Sequence, residues 1–594
     1  MKIINMYNIE GNGYADDCSA LYGGPRLEQA INKLQKMLNS LTAWGKRCGL
    51  RFNPEKSTAI IFTRSRKSAP KALVIDGKEV PYKESVKYLG VTLDRKLHWK
   101  QHIDEKVTRA KRFISNVACI TRKNWGPKPK LMRWAYLGVV RPMLAYGAMI
   151  WGHRAQYHTA KLSRINRMGM NTFGSFPKST PTAAMELILD VTPLHLHCIQ
   201  EGLASKIRLH DTTRLHWSGT SANKTHSMSH LRFWNNQMNK YNFSPDNIDS
   251  CSQVRWNADF RINYDSFDGK RKHRTPTQYN VFTDGSRLDG RTGAGYVIYK
   301  GKNEIFANKL RLPDHATVFQ AEIKAIEAAC HKLGELNPPN MKYVKIFVDS
   351  QAAIRALGNP RVRSRAVASA SEELNRLAGI TRSATICWIA AHKGYTGNER
   401  ADTMAKEGST KNQIDIQVGR SPATIRVDIA AQTQRDWTTA WTNYEGAVHT
   451  KQFYSAPCPR KAKYVYNLAR LELGRFIRLI TGHNNLNYFQ HRLGLQESSS
   501  CRFCNTATET YRHLVTECPR WRLTRVDLFQ DRDPCSDMSW SVRKLLDFSY
   551  NPAINEAFEG TWAHNDPPGT DDLDSSRGGD NTTNDDSTGS ATGP

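Results

Sequence analysis

The chain has 594 residues, more than one hydrophobic core normally supports, so its length predicts several domains. Lys and Arg number 85 against 55 Asp and Glu, and the formal charge of +30 favours a polyanionic partner such as RNA or DNA. The sequence has neither an apolar run of membrane-spanning length nor a signal-peptide pattern, and its cysteines are mostly scattered. We therefore expect an intracellular protein of the nucleus or cytoplasm that is not secreted and does not enter a membrane.

The first hundred residues alternate strand and helix patterns. The segment GYADDCSALYGG (13–24) predicts a tight hairpin with Asp16 and Asp17 at its turn. Residues 26–47 repeat apolar side chains at helical spacing and predict an amphipathic helix. Three further strands are predicted, at 57–63, 72–80 and 87–94.

Composition and pattern together predict an α/β multidomain protein. The predicted divisions are an N-terminal region at 1–105, a helical region at 106–215, a polar linker at 216–275, an alternating α/β unit at 276–410, a basic helical region at 411–490, a Cys/His segment at 491–525 and a disordered acidic tail at 560–594.

Acidic residues recur at defined places in the unit at 276–410. Asp284 and Asp349 each end a predicted apolar strand, and Glu322 and Asp402 lie early in predicted helices. If the four carboxylates converge they repel one another, and hard cations such as Mg²⁺ would relieve that repulsion. Two ions roughly 3.5–4 Å apart activate a water and stabilise a leaving oxygen in hydrolytic sites of this kind. His392 precedes Asp402 on a glycine-flanked loop, and an imidazole suits proton transfer to a leaving group.

Four segments of this unit resemble the type 1 ribonuclease H family: FTDGS (282–286), AEIKAI (321–326), VDSQAAI (348–354) and AAHKGYTGNERAD (390–402). The resemblance implies a mixed five-stranded sheet flanked by helices, with its first three strands antiparallel. It also implies hydrolysis of the RNA strand of RNA–DNA hybrids with two Mg²⁺ ions, for which Mn²⁺ can substitute. The residues it assigns are the metal ligands Asp284, Glu322, Asp349 and Asp402, assisted by His392.

The N-terminal region resembles the later palm motifs of reverse transcriptases from non-LTR retrotransposons of the jockey and I type. The resemblance rests on YADD (14–17), 49–63 and 87–94, and 137–151 is similar to the segment that follows the palm. It implies that Asp16 and Asp17 belong to a polymerase metal site, with Lys56 near the incoming nucleotide. Only 13 residues precede Tyr14, so we expect a truncated palm without polymerase activity.

The spacing Cys501-x2-Cys504-x8-His513-x4-Cys518 supplies three thiolates and one imidazole, which is a closed tetrahedral set typical of structural Zn²⁺. The motif resembles the C-terminal Cys/His motif of non-LTR elements. Its flanks are basic, and Phe503 is predicted to stack on nucleic-acid bases together with Tyr511.

Three functions are therefore open. The first is a ribonuclease H that acts on RNA–DNA hybrids within a retrotransposon-derived polyprotein. The second is a catalytically inactive retroelement relic that binds RNA and DNA. The third is part of an RNA-directed DNA polymerase, which the missing upstream palm argues against. The sequence identifies no protein partner.

Overall fold

The computed structural model describes residues 2–63, 71–122, 125–209, 224–240, 247–251, 254–255, 257–264, 278–338, 341–530 and 540–559. The predicted acidic tail at 560–594 lies outside these residues. Within them, no helix combines the length and apolar character needed to cross a membrane. One compact unit comprises Met1–Asn116, Ala135–Met168 and Thr192–Ala440. The other comprises Val117–Trp134, Gly169–Val191 and Trp441–Pro594.

The N-terminal hundred residues form short hairpins and helices. In chain order these are α1 (Lys2–Met6), β1 (Glu10–Tyr14), β2 (Asp17–Leu21), α2 (Leu27–Arg47), β3 (Leu73–Ile75), β4 (Lys78–Val80), β5 (Ser85–Tyr88) and β6 (Val91–Asp94). The predicted hairpin at 13–24 and the predicted helix at 26–47 are both present.

Two strand predictions in this region are wrong. Residues 57–63 contain only an isolated bridge between Ala59 and Tyr82. Residues 87–94 form a hairpin of β5 and β6 because Leu89 and Gly90 adopt positive φ angles of 45° and 78°, which reverse the chain. A turn that uses Leu in the left-handed region is rare, so the pattern indicated one continuous strand.

Helices dominate the next section. They are α3 (Lys100–Cys119), α4 (Pro129–Ala135), a π-helical turn (Tyr136–Val140), α5 (Arg141–Ala145), α6 (Ala148–Trp151), a 3₁₀ segment (Gly152–His158), α7 (Thr159–Asn171), α8 (Thr182–Ile188), α9 (Leu194–Leu209) and α10 (Lys224–Lys240). Helix α10 falls inside the stretch predicted as a linker at 216–275. Its Trp234 is fully buried in a core cluster with Leu203 and Ile429, so this part of the stretch belongs to the folded unit.

A six-stranded mixed sheet follows. Its section of the chain contains β7 (Val254–Arg255), β8 (Arg261–Asn263), β9 (Gln278–Leu288), β10 (Arg291–Lys300), β11 (Asn303–Leu312), α11 (Val318–Leu336), β12 (Tyr343–Val348), α12 (Gln351–Leu357), β13 (Arg361–Val362), α13 (Arg365–Ile380), β14 (Ser383–Trp388) and α14 (Thr396–Thr410). The strand order is β11-β10-β9-β12-β14-β8, with β9 to β11 antiparallel and the other pairs parallel.

The sheet therefore has one strand more than the expected five. The extra strand, β8, also comes from the stretch predicted as a linker, and it pairs with β14. Phe260 beside it is 6% exposed and joins the domain core, and Ile262 packs against the same core. Three residues of strand in a polar context give too short an alternating pattern for the sequence to indicate a strand.

Side-chain alternation assigns the two faces of the sheet. Tyr279 and Val281 of β9 belong to the large core cluster that includes residues of α11 and α13. Phe282, one residue on, instead packs with Ala401 and Met404 of α14. Since neighbouring residues of a strand point to opposite faces, Asp284 shares the face that α14 covers.

The C-terminal section is helical. Its elements are α15 (Pro422–Thr442), α16 (Val448–Lys451), α17 (Pro459–Asn467), α18 (Arg470–Thr481), α19 (Asn487–Arg492), α20 (Tyr511–Thr516), a 3₁₀ segment (Pro519–Trp521), α21 (Arg522–Phe529), α22 (Val542–Ser549) and α23 (Pro552–Glu559). Some of the basic residues here stabilise the fold. Arg475 is 3% exposed and donates to Ser549 Oγ at 2.8 Å and Asn555 Oδ1 at 2.7 Å.

Candidate active site and metal centres

Asp284 lies in the middle of β9, not at its end as the sequence indicated. Strand β9 continues to Leu288 because its antiparallel partner β10 is long, and Asp284 pairs with Gly295 there. On the other side the parallel pairing with β12 stops at Thr283 and Val348. Asp284 therefore comes directly after the point where one neighbouring strand ends, and Asp349 is the first residue beyond that end.

The structure brings three of the predicted acidic ligands together. Carboxylate oxygens of Asp284, Glu322 and Asp349 all lie within 4.8 Å of one another. They come from β9, from the second turn of α11 and from the end of β12. Glu322 reaches this position because α11 packs closely on β9, where a Cβ on Gly285 would lie only 2.6 Å from the Glu322 backbone nitrogen.

Burial raises the pKa values of all three carboxyls, and repulsion by neighbouring acids adds to this effect. The pKa of Asp284 rises from 3.8 to about 7, chiefly by burial and then by the charges of Asp349 and Asp402. Burial, with the charges of Asp284 and Asp349, holds the pKa of Glu322 well above its ordinary value. Burial also raises the pKa of Asp349. The cluster is thus costly to ionise without a compensating positive charge.

Asp402 is next to this cluster but does not join the group whose oxygens all lie within 4.8 Å. It is half-buried, and its carboxylate accepts a hydrogen bond from Lys406 Nζ at 2.6 Å. The position of Asp402 relative to the sheet is set by the close packing of α14 on β10. A Cβ on Gly295 would lie 2.3 Å from the Ala405 nitrogen and 2.6 Å from the Ala401 oxygen, so only glycine allows this approach.

His392 is exposed on the turn before α14, with a positive φ of 54°. It is near enough to lower the pKa of Asp349 electrostatically. The sequence interpretation placed it on such a loop beside the acids, and the structure agrees with that placement.

Asn398 is a further residue of the site that the sequence did not indicate, although it lies inside the motif at 390–402. It is 5% exposed, and its Nδ2 donates to Asp349 Oδ2 at 3.3 Å. Trp388 Nε1 donates to the Asp349 carbonyl at 3.1 Å, so both the backbone and the side chain of Asp349 are held. The sequence feature that could have identified Asn398 is its position between Gly397 and Asp402 in this motif.

The Cys/His cluster forms a second group of potential ligands. Donor atoms of Cys501, Cys504, His513 and Cys518 lie within 4.8 Å of one another, and all but Cys504 are buried. Cys504 Sγ is 3.3 Å from His513 Nε2. Burial raises the pKa of Cys501 to about 12, whereas a hydrogen bond from Thr506 helps lower the pKa of Cys504 to about 6.

The base-stacking prediction is wrong for Tyr511. Its side chain is fully buried, and its hydroxyl donates to the Leu545 carbonyl. Phe503 packs edge-to-face on Trp521 with ring centroids 5.1 Å apart. Tyr511 is a core residue because it begins α20 on the side that faces α22, which the local spacing of the motif does not reveal.

Asp16, Asp17 and Lys56 are all exposed. Asp16 occupies the turn between β1 and β2, and Asp17 pairs with Tyr14 as the hairpin closes. Among the described residues, neither acid belongs to a group of three or more ligands within 4.8 Å. The palm assignment of these residues therefore stays a prediction.

A mixed sheet that holds three convergent carboxylates, with a helix carrying a fourth against one face, defines the ribonuclease H class of fold. Residues 276–410 match the family model for RNase H, and this part of the chain is an RNase H domain.

The similar proteins are retrotransposon polymerases and polyproteins. The chain is 27% identical over 207 residues to "Probable RNA-directed DNA polymerase from transposon BS" of Drosophila melanogaster, covering 34% of this chain and 22% of that protein. It is 28% identical over 217 residues to "RNA-directed DNA polymerase from mobile element jockey" of the same species, covering 35% and 23%. A Pol polyprotein of the type-1 retrotransposable element R1 from Nasonia vitripennis is 23% identical, covering 32% and 58%.

The resemblance to non-LTR retrotransposon proteins is thereby confirmed. The matched part spans about a fifth of the length of the two Drosophila relatives. Among solved structures, RNase H1 from Halobacterium salinarum NRC-1 is 20% identical, with 22% of this chain and 96% of that chain covered and a TM-score of 0.19.

Proposed function

We propose that this protein hydrolyses the RNA strand of RNA–DNA hybrids in a metal-dependent reaction. The observation that carries the proposal is the convergence of Asp284, Glu322 and Asp349 within 4.8 Å inside an RNase H domain. Asp402 and His392 complete the proposed catalytic set.

The acidic cluster fits divalent cations. Glu322 is 5% exposed, and its Oε2 has no hydrogen-bond partner, which is costly for a buried oxygen unless a cation takes it. Asp284, Glu322, Asp349 and Asp402 would hold two Mg²⁺ or Mn²⁺ ions. The raised pKa values of Asp284, Glu322 and Asp349 would fall on binding. When bound, such ions supply an activated water and charge stabilisation for the leaving oxygen.

The neighbouring side chains prepare the acids for this role. The Asn398 amide fixes the rotamer of Asp349, and the Lys406 ammonium holds the carboxylate of Asp402. His392 is exposed to solvent beside Asp349, where its imidazole would give a proton to the leaving oxygen of the RNA.

Basic residues outside the RNase H domain would supply much of the affinity for RNA, DNA and their hybrids. On α3, Arg109, Lys111 and Arg112 are exposed, and Arg109 and Arg112 lie one turn apart on the same face, where they would be available to phosphates. Contacts of this kind bind the backbone without reading sequence. The proposed site of action is intracellular, in the nucleus or cytoplasm.

The test is cleavage of a hybrid with a labelled RNA strand by the full chain in Mg²⁺, beside RNA duplex and DNA duplex controls. The wild type should cut only the hybrid, and Asp284→Asn should not cut it. Asp289→Asn is the matched control, because Asp289 is an exposed acid in the β9–β10 turn of the same hairpin. Tight hybrid binding without cleavage by the wild type would favour the inactive binding protein instead.

The Cys/His cluster supports a second proposal, a structural Zn²⁺ site made by Cys501, Cys504, His513 and Cys518. Four protein donors leave no open position, which is typical of a structural site. One zinc per chain in elemental analysis is expected, and a zinc-free protein would contradict the assignment.

The assignment of 1–105 to a reverse-transcriptase palm region, with Asp16, Asp17 and Lys56 as its polymerase residues, remains a proposal. Primer extension on an RNA template by the wild type and by an Asp16→Asn, Asp17→Asn variant tests it, and nucleotide incorporation that is equal in the two proteins would contradict the assignment of these acids.

A further inference from the structure

Asp249 lies in the short described segment 247–251, within the stretch that the sequence analysis interpreted as a linker. It is 4% exposed, and both carboxylate oxygens accept hydrogen bonds. Gln320 Nε2 donates at 2.9 Å, Ser364 Oγ at 3.0 Å and the Ala366 backbone nitrogen at 3.0 Å. A buried carboxylate with this many donors occupies a defined position in the fold.

Gln320 connects Asp249 to the start of α11. Its backbone nitrogen donates to Thr317 Oγ1 at 3.2 Å, and its Oε1 accepts from the Thr317 nitrogen at 3.1 Å, which together cap the helix. Its Nε2 donates to Asp249 and, at 2.8 Å, to the Gly419 carbonyl. The Gln320 side chain is fully buried, so a change at Asp249 cannot be offset by water.

Glu322 follows Gln320 by two residues, at the start of the second turn of α11. The Glu322 backbone lies against Gly285 of β9, so there is little space for it to move. Because Glu322 directly continues the turn that Gln320 caps, a rotation of that turn would displace the Glu322 carboxylate from Asp284 and Asp349.

The chain segments before and after the RNase H domain, at 247–249 and 418–420, both contact the pair of Asp249 and Gln320. The Asp249 nitrogen donates to the Arg420 carbonyl at 2.9 Å, and the Arg420 nitrogen donates to the Asn247 carbonyl at 2.7 Å. His315 Nε2 is 2.9 Å from the Val418 carbonyl, so the segment at 418–420 lies beside the start of α11. Residues 247–249 and 418–420 thus form one arrangement that holds Gln320.

We infer that Asp249 is a positioning residue for the active site: through Gln320 it sets the first turns of α11 and hence the place of Glu322 in the metal-binding cluster. The inference rests on the proposed function for its effect on catalysis. Its effect on the helix and on metal binding is independent of turnover.

The experiment uses the full chain and two nearly isosteric variants, each of which exchanges a carboxylate and an amide. In Asp249→Asn the amide cannot accept from both Gln320 and the start of α13. In Gln320→Glu a second carboxylate faces Asp249. The double variant restores a donor–acceptor pair between positions 249 and 320, because the amide introduced at position 249 can donate to the carboxylate introduced at position 320. The Gly419 carbonyl still loses its donor, as it does in Gln320→Glu. Ser364→Ala is the matched control, since it removes a hydrogen bond to the same carboxylate and the cap of α13 but leaves the Gln320 contact.

Three measurements are made: Mg²⁺ binding by calorimetry, deuterium uptake of the peptide covering Val318–Leu336, and kcat and KM on a hybrid. We expect Asp249→Asn to weaken Mg²⁺ binding and lower kcat with KM unchanged. The loss should stay within about 10–100-fold, the range for removing a group that contacts a metal ligand directly, because Asp249 acts through Gln320. Deuterium uptake at the start of α11 should rise. The double variant should recover part of each loss, and Ser364→Ala should melt earlier with wild-type Mg²⁺ binding.

Wild-type Mg²⁺ binding and α11 exchange in Asp249→Asn would overturn the inference. So would a Ser364→Ala variant that matches Asp249→Asn in all three measurements, or a double variant no better than the worse single one. If the wild type does not cut hybrids, the proposed function fails, and calorimetry with deuterium uptake still decides the role of Asp249.

Discussion

Replacing Asp284 with Asn should stabilise the metal-free protein at alkaline pH while it abolishes cleavage. In the folded state the pKa of Asp284 rises from 3.8 to about 7, so the folded protein binds this proton more tightly than the unfolded chain. Stability is therefore lost as pH rises between these two values. At about 1.36 kcal/mol per pH unit the cost above pH 7 is about 4 kcal/mol. This is an upper bound, because the neighbouring acids share the repulsion.

The assay is thermal unfolding in a chelator at pH 5 and pH 8, followed by the same scans in Mg²⁺. The wild type should melt lower at pH 8 than at pH 5, and Asp284→Asn should reduce that difference. Mg²⁺ should restore the wild type at pH 8 and act less on the variant. The reasoning is refuted if the variant is less stable than the wild type in chelator at pH 8, or if it still cuts hybrids at the wild-type rate.

Three other changes test separate parts of the structure. His392→Ala should slow cleavage by about 10²–10⁴-fold in single-turnover assays yet leave Mg²⁺ binding intact, and lost Mg²⁺ binding would contradict its role in proton transfer. Cys501→Ser should release zinc in elemental analysis without changing hybrid cleavage, and retained zinc would contradict the ligand set. Gly295→Ala should destabilise the domain by about 1–3 kcal/mol in denaturant titrations, because its Cβ meets the backbone of Ala405, and unchanged stability would show that α14 can retreat.

The sequence predicted the acids of the site because each lies beside a strong local pattern. One mainly apolar strand, β12, directly precedes Asp349, and a capped amphipathic helix carries Glu322, so both the elements and the acids could be identified. The position of Asp284 within its strand could not. Where β12 stops against β9 depends on pairing between residues more than sixty positions apart, which local alternation does not encode.

The four residues of the Cys/His cluster could be identified for the same local reason, since they lie within eighteen positions of one another in the sequence. Tyr511 was misjudged because its burial depends on Leu545, 34 residues downstream. Asn398 lies inside the motif at 390–402, but a neutral amide is not part of the acidic pattern that predicts a metal site. Its importance shows only in the contact with Asp349.

The stretch at 216–275 shows most clearly how polar sequence can hide structure, and it leads to a prediction about the limits of the catalytic unit. A fragment of 276–410 lacks Phe260, whose burial contributes about 1.5–3 kcal/mol, and leaves β14 as an unpaired edge. It also lacks Asp249.

A fragment of 247–420 keeps Phe260, strand β8 and Asp249, so it should melt well above the shorter fragment and bind Mg²⁺ like the full chain. Circular dichroism melting and calorimetry on the two fragments make the comparison. Equal melting temperatures and equal Mg²⁺ affinity would show that the flanking segments only rest on a domain that is complete without them.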